Sequence, residues 1–149
     1  MSEKLGGNGV SMDMITIAVP CYNEEPALEP FFEELTSIAQ QMDYVEFEFL
    51  FINDGSKDGT LNKIKSLAER DQRVKYISFS RNFGKEAGIY AGLENALGDY
   101  VVIMDADLQD SPDEIPELYR MAVEDGYDIV SGWKKQRFDN KLTKNLPSK

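Results

Sequence analysis

Residues 100–114 read YVVIMDADLQDSPDE. The first five are aromatic, β-branched or otherwise apolar, a run too short for a helix and suited to a buried strand. They lead straight into acids, after which Ser111-Pro112-Asp113-Glu114 has the form of a capping box with proline at the first helical position. Ile115, Leu118 and Ala122 then continue as an apolar stripe at helical spacing. A strand therefore passes through an acidic loop into a helix.

The same unit recurs along the chain. Short β-rich runs occur at 15–19 (ITIAV), 47–52 (FEFLFI), 74–79 (VKYISF), 100–104 (YVVIM) and 127–132 (YDIVSG). Between them, Leu28, Phe31, Phe32, Leu35, Ile38, Ala39 and Met42 mark one helical face, and Leu61, Ile64, Leu67 and Ala68 a second. Ile89, Leu93, Ala96 and Leu97 mark a third, with Gly88 and Gly92 spaced to let that helix lie close to the sheet. Gly98 and Gly126 stand where helix C-caps are expected. Alternation of this kind predicts an α/β fold, a mainly parallel sheet with helices on both faces. Ligands in such folds bind beyond the carboxyl ends of the strands, where strand order reverses.

Composition narrows the chemistry. The 149 residues suit one domain, 42% hydrophobic and 29% charged, ordinary values for a soluble globular protein. The opening fourteen residues are polar and glycine-rich and are expected to form a mobile leader, ahead of a domain over 15–133. No apolar run approaches the ~20 residues of a membrane span. Histidine is absent and Cys21 is the single cysteine, which removes Ser-His-Asp and Cys-His catalysis, histidine-bound zinc and internal disulfides. The one cysteine fits a reducing, cytoplasmic setting. The net charge of −11 is uneven: residues 134–149 hold six Lys/Arg against one Asp. The acidic body argues against a nucleic-acid partner, and the basic end suits a phosphate or the cytoplasmic face of an anionic membrane.

Three loops on the expected ligand edge carry the acids and amides: PCYNEE (20–25), NDGSKDGT (53–60) and DADLQDSPDE (105–114). Turn chemistry alone accounts for Gly55, Ser56, Gly59 and Pro112. It leaves unexplained why three loops on one edge repel one another, unless a cation is present. Asp105 and Asp107 fall on one side of an extended segment, and Gln109 continues that side if the chain stays extended. Two carboxylates and an amide oxygen are hard ligands suited to Mg²⁺ or Mn²⁺ shared with substrate phosphates. Asp54 can accept from a base edge while Gly55 lets the backbone approach, and Glu24 can accept from ribose hydroxyls. Tyr22 offers a flat surface for a base. Arg81, Asn82 and Lys85 open the third helix, where a lysine can approach a phosphate or a base.

VPCYNEE, NDGSKDGT, SRNFGKEAG and MDADLQDSPDE, in this order and spacing, strongly resemble the family 2 glycosyltransferases with a GT-A nucleotide-sugar-binding fold. The branch that looks most similar is that of the polyprenyl-phosphate sugar transferases, the dolichol-phosphate mannose synthase and bactoprenol glucosyltransferase type. The resemblance covers about residues 15 to 149. It implies inverting transfer of a hexose from a UDP-sugar, or alternatively a GDP-sugar, to a polyprenyl phosphate or glycan acceptor in cell-wall or glycan biosynthesis, assisted by Mg²⁺ or Mn²⁺.

Carried over by position, Pro20, Tyr22 and Glu24 would flank the nucleoside and Asp54 would contact the base. Lys85 lies in the motif that approaches the nucleotide. Asp105 would sit by the ribose and metal, with Asp107 and Gln109 as further metal ligands and Asp107 as the catalytic residue. Strand two ends in Asn53-Asp54 where many relatives have two aspartates, which leaves the base contact in place. Family members usually continue further, so the chain is expected to be C-terminally truncated. Residues 134–149 would then be the basic start of an acceptor-side segment, with any general base beyond Lys149.

Other classes fit less well. A receiver domain phosphorylated on an aspartate shares the size, acidity and alternation, but needs an acid pair at the end of strand one, where this chain has Val19-Pro20-Cys21. A sugar-nucleotide pyrophosphorylase would open with a glycine-rich loop, and an NAD-binding domain with GxGxxG; neither is present. A fragment that binds nucleotide-sugar without transferring it is the remaining alternative.

Overall fold

The computed structural model describes residues 11–107, 109 and 111–126. Within it the chain forms β1 (Met14–Cys21), α1 (Glu25–Gln41), β2 (Glu46–Asn53), α2 (Thr60–Arg70), β3 (Val74–Ser78), α3 (Lys85–Asn95), β4 (Tyr100–Ile103) and α4 (Ile115–Glu124). It divides into two compact units, Met1–Asp113 and Glu114–Lys149. The first holds the sheet and all four loops at its carboxyl edge; the second holds α4. The expected strand at 127–132, the basic segment 134–149 and residues 1–10 of the expected leader lie outside the described residues.

All the pairings are parallel, in the order β3-β2-β1-β4. Ile17 is opposite Phe49 on one side and Val102 on the other, so the central strand β1 is flanked on both sides from Ile15 to Ala18. Alternation then assigns the faces. Thr16, Ala18 and Pro20 share one face with Glu48, Leu50 and Ile52, and α3 covers it: Ala91 packs against the Ala18, Leu50 and Ile52 cluster. Phe47, Phe49 and Phe51 point the other way, where Phe32 of α1 meets Phe49 edge-on with ring centroids 5.8 Å apart. Burying one aromatic of this size contributes about 2–3 kcal/mol, and the α1 face read from its spacing is the buried one throughout.

The third helix differs from its apolar spacing. Its buried residues are Gly88 and Gly92, whereas Leu93 and Leu97 are exposed. A Cβ on Gly92 would stand 3.1 Å from both Ala18 Cβ and Ile52 Cδ1. The helix backbone therefore lies directly on the sheet, and a larger side chain on that face would lift it away. Gly98 is likewise no C-cap, since α3 ends at Asn95 and Ala96 is its C-cap. A Cβ there would meet Thr16 N at 2.6 Å, and its N–H donates to Thr16 Oγ1 at 2.9 Å. Thr16 in turn donates to buried Glu48 at 2.6 Å, and Glu48 accepts from Leu97 N at 3.0 Å. This polar chain fixes where β4 enters the sheet. Ser111 accepts from Asp113 N at 3.2 Å, capping a short 3₁₀ turn (Pro112–Glu114) that precedes α4.

Candidate functional site

The strand order places the reversal between β1 and β4: the chain builds outward from β1 through β2 to β3, then returns to β1's other side. The loops after β1 and β4 flank that point, and those after β2 and β3 adjoin them.

The first two loops are laced together. Asn23 adopts φ 54°, a left-handed conformation that asparagine tolerates better than most residues. Its N–H donates to Ser56 Oγ at 2.9 Å and its Oδ1 accepts from Lys57 N at 2.8 Å. Glu24 N donates to Thr60 Oγ1 at 2.8 Å, and Glu25 accepts from Gly59 N at 2.9 Å. With this lacing Tyr22 is exposed, Pro20 buried and Glu24 half-buried. Asn23 and Thr60 were not singled out from sequence; an asparagine between a strand and a helix start is the signal that marks such a turn.

The third loop is bound to the second through Asp54. This residue is 3% exposed, and its carboxylate accepts from Phe83 N at 2.7 Å, Gly84 N at 3.0 Å and Asn82 Nδ2 at 3.1 Å. Oδ2 takes two of these donors and Oδ1 one, which leaves room on Oδ1 for a further donor. Gly55, at φ +67°, brings its α-carbon so near that a Cβ would lie 2.2 Å from the Arg81 carbonyl carbon. Lys85, the first residue of α3, reaches across to Asp105 at 2.8 Å.

The fourth loop departs from the extended geometry that placed Gln109 beside Asp105 and Asp107. After Ile103 the chain leaves the sheet and turns, and Asp107 Oδ1 accepts from Gln109 N at 3.0 Å. The side-chain bond to the backbone two residues on closes a local turn, which overrides the alternation of a strand. Asp105 is half-buried, Ala106 fully buried and Asp107 exposed, so the two aspartates flank an anchoring alanine.

Electrostatics tie the loops together. The Glu24 carboxyl is pushed above its ordinary range by partial burial and by the charges of Asp107, Asp105 and Asp58, with Lys85 opposing them. The buried Cys21 thiol is pushed up by desolvation, then by Glu24 and Asp105. The Cys21 Sγ also lies 3.4 Å from Val19 O, where it acts as a buried packing group and weak donor. Acids from three loops therefore feel one another across the carboxyl edge. Among the described residues no three Asp, Glu, Cys or His side chains converge tightly enough to hold a metal alone. That donor chemistry fits an oxygen-seeking cation completed by phosphate oxygens and water, and does not fit a closed structural site.

Comparison with known proteins decides the family: the glycosyl transferase family 2 profile matches residues 16–149. The chain belongs to glycosyltransferase family 2. It is 44% identical over 135 residues to "Putative glycosyltransferase CsbB" of Bacillus subtilis (strain 168), covering 91% of this chain and 40% of that protein. It is 38% identical over 139 residues to an undecaprenyl-phosphate 4-deoxy-4-formamido-L-arabinose transferase of Pseudomonas fluorescens, covering 93% and 40%. The chain thus spans about 40% of the length of these relatives. Among solved structures, it superposes on the mannosyltransferase PcManGT of Pyrobaculum calidifontis in complex with GDP-Man and Mn²⁺, with TM-score 0.64 and 26% identity over 75% of this chain and 33% of that one. The S. aureus TarS 1-349 complex with UDP-GlcNAc gives TM-score 0.54 and 28% identity over 76% and 32%. The α/β fold expected from sequence is that of these glycosyltransferases, and the receiver alternative falls with the family assignment. Among the described residues no helix is long and apolar enough to cross a membrane.

Proposed function

We propose that this chain is the donor-binding part of an inverting glycosyltransferase that takes a UDP-sugar, or alternatively a GDP-sugar, with Mg²⁺ or Mn²⁺, and serves a polyprenyl-phosphate acceptor. The observation that carries the reading is the meeting of Glu24, Asp105 and Asp107 with Lys85 at the strand-order reversal. Clustered carboxylates repel one another in the free protein, and a cation joining them relieves that repulsion. A relative that acts on undecaprenyl phosphate and neighbours bound to GDP-Man with Mn²⁺ and to UDP-GlcNAc support the same substrate classes.

In this reading Pro20, Tyr22 and Glu24 flank the nucleoside, and Gly55 keeps the backbone close beneath it. Asp105 and Asp107 hold the cation, with Gln109 contributing from the same turn. When bound, the cation neutralises charge on the departing diphosphate. Lys85 is the protein's own positive charge beside that position, held ready by Asp105 at 2.8 Å. A lipid phosphate is already anionic and needs little help from a general base, which fits a site rich in acids and without histidine.

Isothermal titration calorimetry with UDP and GDP, each with and without Mn²⁺, tests the reading. Metal-dependent binding of one nucleotide is expected. Asp107→Ala should abolish the metal dependence while leaving the fold intact, since Asp107 is exposed. A folded chain that binds neither nucleotide overturns the proposal.

A further inference from the structure

Neither α1 nor α2 is capped by the side chain at its own N-cap. Those residues are Glu24 and Gly59, and neither makes a side-chain cap. The N–H groups at a helix start must then find acceptors elsewhere. Each helix finds one on the other. Glu24 N donates to Oγ1 of Thr60, the first residue of α2, at 2.8 Å. Gly59 N donates to Oε1 of Glu25, the first residue of α1, at 2.9 Å. In a capping box the residue three positions on takes the N-cap N–H within one helix; here two helices do so for each other.

Further bonds brace this exchange. Thr60 Oγ1 donates to Asp58 Oδ1, which also accepts from Thr60 N at 2.9 Å, and Asp58 Oδ2 accepts from Glu25 N at 3.4 Å. Asn23 N donates to Ser56 Oγ, and Ser56 N donates to Asn53 Oδ1 at 3.2 Å. Asn53 Nδ2 then donates to Ser78 Oγ at 3.0 Å, which carries the set to the end of β3. The successive N–H groups of Asn23, Glu24 and Glu25 are thus all held by side chains of the second loop and the start of α2. Thr60 is the fully buried member of the set.

We infer that Thr60 is a positioning residue: by closing the mutual caps of α1 and α2 it fixes where Tyr22 and the Glu24 carboxyl stand on the ligand edge. The functional consequence rests on the proposed nucleotide-sugar reading, in which those two residues flank the nucleoside; the caps rest on geometry alone. Because α1 is capped from its neighbour, the Glu24 carboxyl takes no part in capping and is left to face a ligand. Asp105, Asp107 and Lys85 lie on other loops, so the diphosphate side does not depend on Thr60 in the same way.

Amide hydrogen exchange on the nucleotide-free chain tests the caps. Thr60→Val keeps the shape and removes the hydroxyl, and should speed exchange at Glu24 roughly three- to tenfold. Thr60→Ser should restore the parent rate. Glu25→Ala, at an exposed position, should speed exchange at Gly59 and, through the shared caps, at Glu24. It replaces Thr60→Val in both measurements if that variant fails to fold. The amides of Ile17 and Phe49 in the sheet should keep their protection throughout.

Affinity for UDP, GDP and inorganic pyrophosphate, each with Mn²⁺, tests the consequence. A loop held correctly for a smaller fraction of the time lowers apparent affinity by that fraction, so Thr60→Val should weaken whichever nucleotide the parent binds roughly three- to tenfold. Pyrophosphate should bind as it does to the parent, and Thr60→Ser should recover the nucleotide. Unchanged exchange at Glu24, unchanged nucleotide affinity, or an equal loss for pyrophosphate overturns the proposal. If the parent chain binds no nucleotide, the functional reading fails and the exchange data alone decide the caps.

Discussion

Gly55 has no room for a side chain and a backbone that few side chains accept. At φ +67° a non-glycine residue costs roughly 1 kcal/mol, and a Cβ at 2.2 Å from the Arg81 carbonyl carbon cannot be relieved by rotating a flexible side chain. The neighbour is backbone, itself held by the Asp54 carboxylate through Phe83 and Gly84. Gly55→Ala should therefore destabilise the protein by about 2–4 kcal/mol, adding overpacking to conformational strain. Urea unfolding checks this, and an unchanged midpoint would mean that the loop yields easily. By contrast Gly84, at φ 104°, has open space around its missing side chain, so only the conformational part of the cost applies there.

Among the elements, the turn from α2 into β3 shows how a short connection is locked. Asp71 is the C-cap of α2, and its carboxylate accepts from Arg73 N at 2.9 Å, Nε at 3.0 Å and Nη2 at 2.8 Å. The Arg73 guanidinium also lies over the Phe49 ring, 5.1 Å from its centroid, which joins the turn to the core. Hydrogen bonds from Arg73 hold the Asp71 carboxyl below its usual range. A depressed carboxylate stabilises the fold above its unfolded pKa of about 3.9, and the stabilisation fades as pH falls through the lower folded value. Because Arg73 is well exposed, solvent screening limits the contribution to about 1 kcal/mol. Asp71→Asn should cost about that much at pH 7, and the two proteins should converge in stability as pH drops below about 4. A gap that persists at low pH would assign the effect to packing of Arg73 on Phe49.

For the molecule as a whole, the alternation of β-rich and helical segments made the parallel sheet legible, because buried strands in such sheets are apolar on both faces and stand out. The three acidic loops were legible as a set for the same reason: strand ends locate them. Three things were not. The apolar stripe of α3 misled, because Leu93 and Leu97 are exposed, although the spacing of Gly88 and Gly92 did mark the side that lies on the sheet. Gln109 was placed by strand alternation, whereas a side-chain-to-backbone turn at Asp107 governs that segment. The hydrogen bonds that Asp54 accepts come from donors 28 to 30 positions away, which spacing cannot reveal. Acids from three of the loops repel one another, with Lys85 of the remaining loop opposing them, and this gives a test at the molecular scale. A ligand that binds only the folded state adds about 2.7 kcal/mol when present at one hundred times its Kd. For a chain of this size that raises Tm by roughly 5–11 °C. UDP or GDP with Mn²⁺ should produce such a rise, and each component alone a clearly smaller one, because the cation offsets the repulsion among Glu24, Asp105 and Asp107 only when the diphosphate completes its shell. Equal rises with and without Mn²⁺ would move the diphosphate from the acids to Lys85 alone.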